Sequence, residues 1–226
     1  HKQPDDIWRI DLQLGPDGDL YVSDFYNSII GHYEVDLKHP RRDRLRGRIW
    51  RIVYTGMDQK TPVPTIPNLQ ALPIDALVER LSDRNTAVRN LAGQELQERF
   101  SDAAPARAKM LLEQAVPSTE SVQQAGGRVQ ALWLLFRLGQ LDETTIHRLA
   151  GDPEALVRIH LVRAMGETNT WTPAITELVR AKLADSDPFV QRAAVEAIGR
   201  HPDSANVQSL VRLWNKTPSA DTQLIH

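Results

Sequence analysis

Residues 25–47 gather Tyr26, Asn27, His32, Tyr33 and Glu34, a polar and aromatic set in which an imidazole stands two residues from a carboxylate. A neutral histidine beside a carboxylate can act as general base, taking a hydroxyl proton while a cofactor accepts hydride. His32 and Glu34 are therefore the candidates for proton transfer, with Tyr26 and Asn27 as candidates for ligand binding. The competing reading is that the same side chains anchor a long insertion by hydrogen bonds, because loops of this length are either functional or disordered. The run Arg41-Arg42-Asp43-Arg44-Leu45-Arg46-Gly47-Arg48 follows, with five arginines against one aspartate. Arg41 and Arg46 are candidates to clamp an oxyanion in bidentate fashion, against the alternative of a solvated or salt-bridging loop. Asp17, Asp19 and Asp24 offer oxygen ligands, yet they lack the alternating acidic pattern of a calcium loop, and Asp17-Gly18 is a hairpin-turn pair.

The rest of the composition narrows the chemistry. The 226 residues include no Cys, which excludes disulfides, thiolate nucleophiles, Cys-ligated zinc and covalent haem attachment within this chain. No two histidines are spaced i, i+4, so a helical zinc pair is absent as well. No metal and no cofactor are expected in these residues. The formal charge of -2 gives no basic field for nucleic acid, and none is expected as a partner. The longest apolar run, Ala131-Leu132-Trp133-Leu134-Leu135-Phe136, is far short of the roughly 20 residues that span a bilayer.

Residues 7–54 are the β-rich stretch that would carry the first candidates. Ile7, Ile10, Leu12 and Leu14 alternate imperfectly, Gly15-Pro16-Asp17-Gly18 is a turn, Leu20-Tyr21-Val22 resumes, and Arg48–Tyr54 alternates basic with apolar. An isolated small sheet is marginal in water, so about three strands need a neighbour. With no initiator Met and a strand already under way at Ile7, the chain is expected to begin inside a larger protein. Pro62, Pro64, Pro67 and Pro73 then mark a linker, giving expected divisions of 1–55, 56–73 and 74–226.

From residue 74 the period becomes helical. Ile74, Leu77, Val78 and Leu81 are spaced for one helix face, as are Ala108, Leu111, Leu112, Ala115 and Val207, Leu210, Val211, Trp214. Alternating with these are stripes at Val88, Ala92, Leu96, at Ala131, Leu134, Leu135, Leu138, at Val157, Leu161, Met165 and at Val190, Ala194, Ile198. Gly139, Gly166 and Gly199 stand where helices are expected to stop, and Asp152-Pro153, Thr172-Pro173 and Asp187-Pro188 where they are expected to start. About four helix pairs and the start of a fifth result, each unable to bury its apolar face alone.

The recurrent opening, as in Asp187-Pro-Phe-Val-Gln-Arg-Ala-Ala-Val-Glu-Ala-Ile-Gly199, resembles HEAT repeats over residues 74 to about 215. In such repeats the Asp and Arg form a ladder between neighbouring units, which the resemblance places on Asp83, Arg89, Asp152, Arg158, Asp187 and Arg192. The β segment Leu14-Gly-Pro-Asp-Gly-Asp-Leu-Tyr-Val-Ser-Asp24, with its continuation through Gly31-His-Tyr-Glu34 to Arg46-Gly-Arg-Ile-Trp-Arg-Ile52, resembles the last blade of the propeller in large membrane-bound dehydrogenases of planctomycetes, relatives of glucose/sorbosone dehydrogenases. That resemblance implies a mainly α chain, an α-α HEAT-like solenoid behind a partial β-propeller blade. It further implies a parent that oxidises a sugar or alcohol, with a quinone cofactor, calcium and haem c lying outside this chain, in the periplasm or cell envelope. The solenoid is then expected to dock a protein partner or a neighbouring domain, while the fragment itself is inactive. The alternative is a non-enzymatic HEAT-repeat scaffold that works by protein binding alone.

Overall fold

The computed structural model of the chain describes residues 11–24, 36, 38–42, 45, 47–57, 62, 66, 68–114 and 122–217. It divides into two compact units, residues 1–68 with 85–87, and residues 69–84 with 88–226.

The first unit holds an antiparallel sheet of three strands in the order β1 (Asp11–Leu14), β2 (Leu20–Asp24), β3 (Arg48–Ile52). The turn between β1 and β2 is closed by the Gly15 N–H donating to the Asp19 carbonyl at 2.9 Å and by Gly18 donating to Gly15 at 3.0 Å. Gly18 takes φ +81°, a conformation that costs a glycine little. Register sets Leu12 opposite Val22 and Val22 opposite Trp50, and Leu14 opposite Leu20 and Leu20 opposite Ile52. Because side chains alternate along a strand, these six apolar residues share one face. That face is open: Leu12 is 54%, Trp50 49% and Ile52 55% exposed.

The second unit is helical. Its elements are α1 (Ile74–Arg80), α2 (Thr86–Arg99), α3 (Ala104–Glu113), α4 (Val122–Arg137), α5 (Glu143–Ala150), α6 (Ala155–Glu167), α7 (Pro173–Ala181), α8 (Pro188–Arg200) and α9 (Val207–Lys216). The helices α3 and α4, α5 and α6, and α7 and α8 pack as hairpins, and α4, α6 and α8 lie side by side. The apolar stripes predicted for the second helices form the core, with Val88, Ala92, Leu96, Leu135, Val157, Leu161, Met165, Val190, Ala194 and Ile198 all buried. Each fully buried Leu or Val contributes about 1.5–3 kcal/mol relative to exposure. Leu69 and Leu72, inside the expected linker, also pack on this core, and Arg99 donates to the Leu69 and Leu72 carbonyls at 3.3 and 3.1 Å.

Helix ends follow the expected signals only in part. Gly139 ends α4 at φ +66°, with the Gln140 N–H reaching back to the Leu135 carbonyl at 2.8 Å, and Thr172 and Asp187 cap α7 and α8 through their side chains. Gly166 and Gly199, in contrast, lie inside α6 and α8. Gly166 is there for space: a Cβ would stand 3.1 Å from the Ala197 Cβ. Asp152 does not cap α6, whose N-cap is Glu154. On α9 the expected stripe is displaced: Val207, Val211 and Trp214 are exposed, while Leu210 and Leu213 turn to the core.

Candidate functional site

A set of side chains at the helix-to-helix loops repeats along the array. Arg89 Nη1 donates to the Asp83 carbonyl at 2.7 Å, Arg158 Nη1 to the Asp152 carbonyl at 2.7 Å, and Gln191 Nε2 to the Asp185 carbonyl at 2.6 Å, always six residues back. The loop carboxylates are held across repeats as well: Arg128 pairs with Asp152 in a buried contact, and Arg158 meets Asp185 through two bonds of 3.0 and 2.8 Å. Lys182 adds a third cation contact to Asp185 at 3.1 Å. Burial alone would raise the Asp185 pKa, but Arg158, the Asp187 N–H and Lys182 together lower it to about 2. The bond to Asp185 holds the Arg158 guanidinium above its usual range.

Of the six expected ladder residues, Asp152 and Arg158 make contacts between repeats, Arg89 meets the Asp83 carbonyl within its own loop, and Asp187 and Arg192 are engaged locally. Asp187 spends its carboxylate on the Phe189 and Val190 N–H groups at the start of α8, and the bridging acid is Asp185. Arg192 lies one position beyond the loop-facing Gln191, about 100° round the helix, and pairs with Glu196 on its own helix at 3.1 Å.

A groove of about 310 Å³ crosses α4, α6 and α8, lined by Trp133, His160, Arg163, Glu167, Glu196 and Arg200 among others. Its floor includes Gly166, Ala193 and Ala197, small residues that let α6 and α8 approach closely. Trp133 Nε1 donates to His160 Nδ1 at 3.0 Å. Indole nitrogen is a donor only, so Nδ1 is the acceptor and the histidine is neutral, with its proton on Nε2. Burial, then Arg163, pushes the His160 pKa down, in keeping with that state. Phe136 packs edge-on to Trp133 with centroids 5.5 Å apart, and the Arg137 guanidinium lies 5.9 Å from the indole centroid. Arg163, Glu167 and Arg200 have no ion-pair partner among the described residues. The groove thus offers an aromatic wall, a donor, and guanidinium and carboxylate groups carried on packed helices.

The first unit carries a buried polar cluster at its turn. Tyr21 OH donates to Asp17 Oδ2 at 2.7 Å, and Arg51 reaches Asp17 at 3.0 Å and Asp19 at 2.7 Å. Burial works against ionised Asp17, yet the Tyr21 hydroxyl, the Asp19 N–H and Arg51 hold its pKa below the ordinary carboxylate value, while the bond to Asp17 raises that of Tyr21. Two of the three acids considered as oxygen ligands, Asp17 and Asp19, are thus engaged by a guanidinium that locks the turn to β3. Asp24 instead accepts from Trp50 Nε1 at 3.0 Å.

Tyr26, Asn27, His32, Glu34 and Arg46 lie outside the described residues. Arg41 is exposed, and its backbone N–H donates to His39 Nδ1 at 3.2 Å. No grouping of three or more His, Asp or Glu suited to a metal ion occurs among the described residues, and no helix among them is long and apolar enough to cross a membrane. Sequence reasoning passed over Arg128, Asp185 and Gln191. The usable signal was the 33-residue step that carries Asp152 to Asp185 and Arg158 to Gln191. His160 meets Trp133 across a repeat, a contact that no local spacing signals.

Residues 143–225, from α5 to past α9, match the family model for HEAT repeats. Residues 4–56 match a domain of unknown function (DUF7133). No curated protein matches the chain. The chain is mainly helical, carries HEAT repeats and has a small three-stranded sheet near its N-terminus.

Proposed function

We propose that this HEAT-repeat chain is a protein-docking scaffold whose principal contact surface is the groove over α4, α6 and α8. Stacked repeats present extended surfaces assembled from equivalent helices, and their usual work is protein interaction. The observation that carries the assignment to this groove is Trp133, fixed by His160, standing beside Arg163 and Arg200, which have no ion-pair partner among the described residues. Trp and Arg are the side chains that dominate interface energies when a partner desolvates them. Selection of a random displayed peptide library on the purified chain tests this. The expected result is enriched sequences whose binding falls at least tenfold in the W133A and R163Q/R200Q variants; enrichment that ignores all three positions overturns the assignment.

A wider reading draws on the sheet. Six apolar side chains sharing the open face of β1, β2 and β3 support a β unit that belongs to a larger sheet assembly, as one blade of a β-propeller would. In that reading the parent is a dehydrogenase acting on a sugar or alcohol, with quinone, calcium and haem c housed in other parts. The helical unit then docks the electron-accepting domain or a partner outside the cytoplasm. This chain alone lacks the other blades needed to enclose a cofactor and is expected to turn over nothing. Dye-linked oxidation of a sugar panel by the 226-residue chain would refute that. A full coding frame without further blades and without a Cys-x-x-Cys-His would favour the plain scaffold.

A further inference from the structure

A second cleft, of about 500 Å³, opens between the start of α8 and α9, away from the groove just described. Its charged lining residues are Arg180, Arg212 and Lys216, beside Gln191 and the apolar Leu183 and Leu213; no carboxylate among the described residues lines it. Arg180 is fixed in place by two bonds to Asn206 Oδ1, at 3.1 and 2.9 Å, and by Glu177 at 3.0 Å. Arg212 and Lys216 are exposed and have no ion-pair partner among the described residues. Like charges at this density in a chain of net charge -2 call for an anion.

The preceding repeat identifies which anion. There Asp185 accepts from Arg158 and Lys182, and Arg158 also holds the Asp152 carbonyl. One repeat further on, Gln191 takes the place of Arg158, donating to the Asp185 carbonyl as Arg158 does to that of Asp152. Lys216 follows Lys182 by 34 residues, but the residues 33 and 34 beyond Asp185 are Pro218 and Ser219. The cation of the rung is kept, and neither of those positions encodes its acid.

We propose that this cleft receives an Asp or Glu side chain from an acidic segment of a protein partner, which supplies the carboxylate that the array itself supplies at Asp152 and Asp185. Leu183 and Leu213 give apolar contacts for residues that flank the acid, which favours a peptide over a bare oxyanion. The inference rests on the docking reading of the repeats but on a different surface from the groove.

Fluorescence anisotropy with a labelled synthetic peptide of alternating Glu and Leu tests it, alongside the same peptide with Gln for Glu, inorganic phosphate as competitor and a single-stranded oligonucleotide. The acidic peptide is expected to bind at least tenfold tighter than the Gln peptide. R212Q/K216Q should abolish that preference, with helicity by circular dichroism unchanged, whereas R163Q/R200Q should leave it intact. Equal binding of the two peptides, tighter binding of the oligonucleotide, or displacement by phosphate at concentrations that match the peptide's own would overturn it. Loss of binding in R163Q/R200Q alone would also overturn it, while leaving the groove as docking surface. Acidic-peptide binding lost only in R212Q/K216Q would stand even if the peptide selection on the groove failed.

Discussion

Arg158 grips Asp185 side-on, Nε to Oδ2 at 3.0 Å and Nη2 to Oδ1 at 2.8 Å, while its remaining nitrogen holds the Asp152 and Pro153 carbonyls at 2.7 and 3.0 Å. One side chain therefore joins the loops of two successive repeats. Removing one partner of a largely buried pair costs about 3–5 kcal/mol. Since Lys182 still neutralises Asp185 in part, Arg158→Ala is expected at the lower end, about 3 kcal/mol, which lowers Tm by about 6–12 °C in a domain of this size. Arg192→Ala, which breaks the exposed pair with Glu196, should cost less, about 1 kcal/mol. Thermal unfolding followed by circular dichroism compares the two, and equal shifts would contradict the inter-repeat role.

Stability should fall in acid through the same residue. Asp185 titrates at about 2 in the folded chain against 3.8 ordinarily, so the unfolded chain binds the proton first as pH drops. Its contribution, up to about 2 kcal/mol, is complete above pH ~4 and is lost as pH falls toward 2. Urea unfolding measured across that window should show the wild type losing stability more steeply than Asp185→Asn. Parallel pH profiles would argue against it.

The repeat rhythm and the helix stripes were legible because Asp83…Arg89 and Asp152…Arg158 recur in type and spacing, whereas the bond of each arginine to the carbonyl six residues back in its own loop depends on the loop's backbone path. In the third loop Asp187-Pro188 carries the helix-start signal, while the bridging acid, Asp185, lies two residues before it, with Gln191 in the place of arginine. Trp133 and His160 are 27 residues apart, and nothing local links them; only the stacking of α4 on α6 does. In the sheet, alternation gave the apolar face of Leu12, Leu20 and Trp50, but exposure depends on what packs above it, which alternation does not encode.

Two glycines in equivalent-looking places should respond oppositely to a methyl group. At Gly166 an added Cβ meets the Ala197 Cβ at 3.1 Å and its Cα at 3.2 Å, so α6 and α8 must separate. Overpacking of about 1–3 kcal/mol then exceeds the helix-propensity gain of about 1 kcal/mol, and Gly166→Ala should destabilise by about 1 kcal/mol. Gly199 has nothing within 4 Å, and Gly199→Ala should stabilise by about 0.5 kcal/mol. Denaturant midpoints at constant m-value test the pair.

His160 makes the groove sensitive to mild acid. Its folded pKa lies below 6.5, lowered by burial and then by Arg163, so neutral His160 contributes stability above pH ~6.5 that is lost as pH falls through the folded value. Protonation at Nδ1 also ends the bond from Trp133 Nε1. Between pH 7.5 and 5, the indole resonance of Trp133 should shift with the His160 titration by NMR, and Trp133→Phe should remove the donor and let His160 titrate higher. A titration unchanged in Trp133→Phe would sever the link.

The open face of Leu12, Leu14, Leu20, Val22, Trp50 and Ile52 has a handling consequence. Exposed apolar faces seek one another, so the chain is expected to cluster as its concentration rises, which light scattering over a concentration series checks. Replacing Leu12 and Ile52 with threonine keeps strand preference while making the patch wettable, and is the first change to make when preparing this protein for solution work.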